Sequence, residues 1–203
     1  MDYSLIELQV QSAVATLTLN RPDKRNAMSD QMRSEFIDAL ESITADKAIK
    51  ALVLTGAGKG FCAGGDIAEY PAFRFDEVQL RHFHELEVWG GLQAMLDCDV
   101  PIVARIEGNC MGAGVEIASC CDIRLATPQA QFGAPIARLG FPMAPKEAAL
   151  VAQAVGHTTA SAMLLLLPLV ALHVTDVAWV HDLANPRTTA SATMRYIQVI
   201  AGV

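Results

Sequence analysis

The sequence is short of positive charge. Its 203 residues carry 15 Lys and Arg against 22 Asp and Glu, a net charge of −7. That balance gives no general basic footprint for nucleic acid, and none is expected as a partner. The start, Met1-Asp2-Tyr3-Ser4, lacks the basic region and apolar run of a signal peptide. Paired cysteines are lacking too. Cys62, Cys98, Cys110, Cys120 and Cys121 are odd in number, form no CxxC and include two neighbours. They read as small, reduced, buried side chains in a cytoplasmic protein, not as a disulfide framework.

No run is long enough for a membrane span. The most apolar stretch, Ala160 to Leu172, is interrupted by Pro168 and falls short of the ~20 residues a spanning helix needs. It reads as a core helix or as a patch that wants a partner. No metal pattern is evident: His82 and His84 are two apart on a predicted helix and so face different ways, whereas zinc pairs on helices want i, i+4 spacing. His157, His173 and His181 show no partner pattern, and no Gly-x-Ser-x-Gly elbow occurs. Charge itself runs out late in the chain. After Glu147 only Asp176, Asp182, Arg187 and Arg195 are charged, 4 of 37.

What is present is a folded domain. The composition is 52% hydrophobic and 18% charged, enough for a real core. Leu5–Val10 and Val14–Leu19 read as two strands about a turn at Gln11-Ser12-Ala13. Asn20 to Asn26 is a polar loop. Ser29 offers an N-cap to a helix reaching about Ala45, with Met32, Phe36, Ala39, Leu40 and Ile43 at helical spacing. Ala51–Thr55 is a buried strand leading into a glycine-rich loop, Gly56 to Gly65. A long helical segment spans about Phe75 to Leu96. Strand Ile102–Ile106 leads into a second small-residue loop, Gly108 to Gly114, then a helix from about Val115 to Cys120 and a strand at Ile123–Ala126. Strand, glycine loop, helix, repeated, is an α/β pattern with parallel strands. Ligands in such folds bind at the carboxyl ends of strands, where both loops belong.

The loops admit three readings: a nucleotide loop of either kind, a pair of oxyanion donors, or packing alone. A Walker loop needs Ser or Thr after Gly-Lys, but Gly60 follows Lys59. A dinucleotide fingerprint must open directly into a helix, but Phe61 to Gly65 intervene, and Pro71 would stop a helix begun at Asp66 after about one turn. A pair of oxyanion donors fits better: small residues let backbone N–H groups approach one carbonyl oxygen and stabilise charge developing there. The third reading is that the glycines serve tight turns and close packing alone.

Four segments, in order, carry a resemblance. They are Leu19-Asn20-Arg21-Pro22…Arg25-Asn26-Ala27-Met28; Gly60 to Ile67, with Ala63-Gly64-Gly65-Asp66 at its centre; Pro101…Gly108 to Ala118, with Cys121-Asp122; and Ala130-Gln131-Phe132-Gly133-Ala134-Pro135. Over about Val14 to Met163 the sequence resembles the crotonase, or enoyl-CoA hydratase/isomerase, superfamily. The resemblance implies an α/β fold, a crotonase-like superhelix of ββα turns, usually trimeric or hexameric. It implies an acyl-CoA thioester substrate, with coenzyme A part of the substrate and no separate cofactor. The backbone N–H groups of Gly65 and Ala113 would hold the thioester oxygen, with Gly112 beside them. Ala63 and Asp66-Ile67-Ala68 would border CoA, and Lys24 and Arg25 would meet its phosphates.

The resemblance makes Glu116 the base, on the helix after the second loop. The family's second Glu normally follows the Pro of the Phe-Gly-X-Pro segment, where this chain has Ile136. Isoleucine cannot transfer a proton. Two-Glu hydration is therefore weakened, and Glu69, Glu77 and Glu147 are the substitutes to consider. The expected function is a hydratase-like acyl-CoA enzyme that stabilises a thioester enolate. The alternatives are an isomerase or decarboxylase using one carboxylate, or a non-catalytic CoA-binding protein. Residues 1–163 form the expected core. Residues 164–203, nearly uncharged, depart from the charged amphipathic helices of the family, so a shortened or divergent C-terminal region is expected there.

Overall fold

The computed structural model describes residues 2–134, 136–140 and 143–165. Strands β1 (Ile6–Gln11) and β2 (Val14–Leu19) form an antiparallel hairpin. β1 is shifted one residue along from its apolar run: it pairs from Ile6 opposite Leu19 to Gln11 opposite Val14, which leaves Ser12-Ala13 as a two-residue turn. Ser12 takes the left-handed conformation there, at φ 55°. β2 alternates buried and half-buried side chains, the pattern of a strand with one face in the core.

Helix α1 (Asp30–Ala45) starts where the sequence signals, with Ser29 Oγ accepting from the Met32 N–H at 3.3 Å. Its Met32, Phe36, Ala39, Leu40 and Ile43 are buried. Strand β3 (Ala51–Gly56) is buried on both faces and lies between β2 and β4 (Ile102–Ile106), parallel to each. Leu17, Leu19, Leu52, Leu54, Ile102 and Ile106 are wholly inaccessible. Each such side chain contributes about 1.5–3 kcal/mol of burial. β6 (Ile123–Ala126) completes the sheet, in the order β1-β2-β3-β4-β6.

Three departures from the sequence reading matter for the site. The second loop is not all loop: Asn109–Met111 forms β5, paired in parallel with β7 (Gln131–Gly133) in a second small sheet. Three-residue strands are too short to show alternation. Helix α4 (Ala113–Cys120) accordingly starts two residues earlier than expected. A single turn does begin at Asp66, whose carbonyl accepts from the Glu69 N–H at 3.1 Å, and Pro71 lies in the short 3-10 turn that follows, Tyr70–Ala72. The long helical segment is α2 (Glu77–His82), a π-helical stretch Phe83–Val88, and α3 (Trp89–Leu96) in unbroken succession. α5 (Ile136–Leu139), α6 (Pro145–Val155) and α7 (His157–Leu165) follow. The expected boundary at Met163 falls inside α7; the divergent segment from residue 166 onward lies outside the described residues.

Because β3 and β4 run parallel, both lead toward the same edge of the sheet, and the two glycine loops emerge side by side. All five cysteines are buried and unpaired by disulfides. Among the described residues no helix is long and apolar enough to cross a membrane, and no cluster of three metal-ligating side chains occurs.

Candidate active site

The first loop is organised by one buried amide. Asn26, fully inaccessible and in the left-handed conformation at φ 57°, donates from its Nδ2 to the carbonyls of Ala57, Gly60 and Phe61 at 2.9, 2.9 and 3.2 Å. Its Oδ1 accepts from the Arg21 N–H. Arg21 Nη1 in turn meets Asp66 at 2.7 Å, and this guanidinium holds the Asp66 carboxyl below the usual range. The polar Asn20–Asn26 loop thus clamps both ends of the glycine segment.

Met28 bridges to Gly65: its N–H donates to the Gly64 carbonyl and its carbonyl accepts from the Asp66 N–H. This leaves the Gly65 N–H facing away from Met28. Ala113 is the first residue of α4, a position whose N–H has no partner within a helix. Among the described residues, neither the Gly65 nor the Ala113 N–H donates a hydrogen bond. The two loops touch. A Cβ on Gly112, itself at φ 51°, would stand 3.4 Å from the Gly64 Cα. A Cβ on Gly114 would come within 2.9 Å of Cys62. Close backbone approach is therefore what these glycines provide.

Both loops open onto one cavity of about 370 Å³. Arg25, Ala63, Gly65, Ile67, Gly112, Ala113, Glu116 and Ile136 all contribute to its wall. Lys24, Asp66 and Ala68 stand outside the wall, with Asp66 committed to Arg21 and to the Ala68 N–H. Ile136, the first residue of α5, adds an apolar side chain to this wall.

Glu116 is 8% exposed, and its carboxyl is pushed up to about 8. Burial is the main cause; the charge of Glu147 adds to it, and Arg33 opposes it. At neutral pH Glu116 therefore holds its proton, the state of an acid and not of the base that the resemblance implies. Of the three carboxylates considered as substitutes, one is in the cavity. Glu147, 2% exposed, lines it from α6. Glu69 instead accepts from the Asp30 N–H at the start of α1, and Glu77 forms an exposed pair with Arg81.

Three wall residues escaped the sequence reading. His84 Nδ1 lies 3.4 Å from Glu147 Oε1. Arg33 is 8% exposed, meets Asp30 and Glu87 at 3.3 Å each, and packs over the Phe83 ring. Tyr70 leans on Phe73 and Phe83, and burial raises its hydroxyl pKa, with the Glu116 charge adding to it. None belongs to a local motif; a π turn and tertiary packing bring them together.

Comparison with known proteins gives the family. The model of the enoyl-CoA hydratase/isomerase family matches residues 9–172. The chain belongs to the enoyl-CoA hydratase/isomerase family. It is 36% identical over 163 residues to a probable enoyl-CoA hydratase, EchA14, of Mycobacterium tuberculosis, covering 80% of this chain and 62% of that protein. A probable enoyl-CoA hydratase of Mycobacterium bovis, echA6, is 32% identical over 201 residues, covering 94% of this chain and 76% of that protein. That match and the family match both extend beyond Met163. An enoyl-CoA hydratase/carnithine racemase from Magnetospirillum magneticum has the same fold, with a TM-score of 0.78 at 37% identity, over 81% of this chain and 61% of that one. The chain thus spans about three fifths of the length of EchA14. The crotonase-type α/β fold expected from the resemblance is the fold found.

Proposed function

We propose that this protein acts on acyl-CoA thioesters in the manner of an enoyl-CoA hydratase. The thioester oxygen is received by the N–H groups of Gly65 and Ala113, and Glu116 moves a proton at Cα. The observation that carries this reading is the shared cavity. Two backbone donors with no partner among the described residues, on two loops in contact, open beside a buried carboxyl. Donors fixed in advance stabilise negative charge as it develops, and each contributes about 10²–10³ in rate. The proton on Glu116 suits it to deliver to Cα in hydration; in the reverse direction the same group, ionised, is the base. Family membership supports the thioester class, and the naming of the relatives as probable enoyl-CoA hydratases supports hydration.

Arg25 stands at the cavity wall, exposed, and is the better placed of the two cations for CoA phosphates; Lys24 lies further out. Ile136 supports a second reading, in which one carboxyl serves isomerisation or decarboxylation. The test is loss of the conjugated-thioester absorbance of crotonyl-CoA by wild type and Glu116→Gln. Turnover by wild type and its loss in the variant support hydration. Turnover of a 3-enoyl-CoA or a malonyl-type CoA alone moves the assignment to the second reading. No turnover of any of them removes the enzyme reading.

A further inference from the structure

We infer that Glu147, held by His84, is the second proton-transferring carboxyl of this site, replacing from α6 the group that Ile136 cannot supply. The inference rests on the acyl-CoA reading above. Glu147 and Glu116 reach the same cavity from α6 and α4, which pack together. Glu147 is almost wholly buried, and burying a carboxylate is costly unless its oxygens are engaged. Each oxygen has a distinct engagement. Oε2 accepts from the Ala144 N–H at 2.8 Å, fixing the carboxylate at the first turn of α6. Oε1 faces His84 Nδ1 at 3.4 Å. Ala144 has no side-chain oxygen, so Glu147 alone caps this end.

His84 is presented by the π-helical stretch Phe83–Val88, and its ring packs edge-on against the buried Phe83. Such wide turns are unfavourable and occur mainly as single turns, frequently at functional sites. This turn sets His84 toward Glu147, while His82 stays exposed beside Glu87. His84 is a positioning residue: it orients the carboxylate without meeting the reacting carbons.

The step balances with water as co-reactant. A water O–H gives its proton to the Glu147 carboxylate as its oxygen bonds to Cβ. The Cα=Cβ pair moves through Cα to the thioester oxygen, held by Gly65 and Ala113. The enolate collapses by taking the Glu116 proton at Cα, giving a 3-hydroxyacyl thioester. Glu147 then holds a proton and Glu116 is ionised; transfer through solvent restores the pair.

Two reactions of the full chain separate the roles. Hydration of crotonyl-CoA needs both carboxyls; exchange of Cα hydrogen of butyryl-CoA with D₂O needs Glu116 and the donors. Glu147→Gln keeps an oxygen for the Ala144 N–H, so its melting temperature should match wild type. It should lose hydration by about 10²–10⁴ while exchange falls far less. Glu116→Gln should lose both. His84→Asn should lower hydration about tenfold, again more than exchange. Hydration by Glu147→Gln at the wild-type rate overturns the inference. So does an equal loss of hydration and exchange in that variant, which would make Glu147 a structural cap. A wild-type chain inert in both assays overturns the acyl-CoA reading itself, and this inference with it.

Discussion

The Tyr70 hydroxyl occupies the space that a side chain at Gly65 would need. Tyr70 is held there by Phe73 and Phe83, with ring centroids 5.5 and 5.7 Å away. Gly65→Ala must therefore displace either the tyrosine or the donor loop. Turnover of crotonyl-CoA should fall about 10²–10³, the cost of one misplaced donor, with little change in KM. Tyr70→Phe in the Gly65→Ala background removes the clashing oxygen and should restore part of the rate. Equal rates for Gly65→Ala and wild type would remove Gly65 as a donor.

The Glu116 carboxyl gives a pH signature of stability. Its folded-state value of about 8 lies above the ordinary 4.5, so the folded chain binds a proton that the unfolded chain has released. Stability from this group is complete below about 4.5 and is lost as pH rises toward about 8. Glu147 raises the Glu116 value and Arg33 opposes it, while Tyr70, His84 and Arg25 share the cavity wall. Glu116→Gln cannot ionise. Its melting temperature relative to wild type should therefore rise between pH 4.5 and 8 and level off above. A difference that stays flat across that window would contradict the raised value.

Asn26 anchors the first loop through three carbonyl acceptors. Asn26→Ala leaves buried carbonyls unpaired, which should cost about 1–3 kcal/mol. Urea denaturation should show a lower midpoint with unchanged slope, the mark of lost stability without a change in compactness. Turnover should fall further than stability, because Ala57, Gly60 and Phe61 lead directly to the donor at Gly65.

Arg25 projects at the cavity wall from a left-handed turn, at φ 54°. Arg25→Glu should raise KM for CoA thioesters about tenfold and leave kcat nearly unchanged. Lys24→Glu should do less. The effect should shrink at high salt, as screening weakens an exposed charge contact. A salt-independent change in kcat would mean that Arg25 shapes the loop instead of meeting phosphate.

Much of this architecture is legible in the sequence. The apolar runs at Val14–Leu19, Ala51–Thr55 and Ile102–Ile106 are strands because their side chains are buried, and Ser29 begins α1 by a local capping rule. What is hidden depends on distance along the chain. β5 lies inside what reads as a glycine loop, and each of its residues pairs with one 22 positions further on, in β7. The π turn leaves no mark in apolar spacing. Glu147 and His84 are 63 residues apart, and nothing local to either says that they meet. The four motifs identify the wall built from local loops; they are silent on the wall built by α6 and the π turn.

The Cys62 backbone pairs with that of Cys110, and its side chain lies against Gly114, at the junction of the two donor loops. Burial pushes its thiol to about 12, so almost none is thiolate at neutral pH, and thiolate is the form that alkylating reagents attack. Labelling of Cys62 must therefore wait for the loops to separate. Its alkylation rate becomes a clock for opening of the site, readable without substrate, and a bound thioester that ties the loops together should slow that clock.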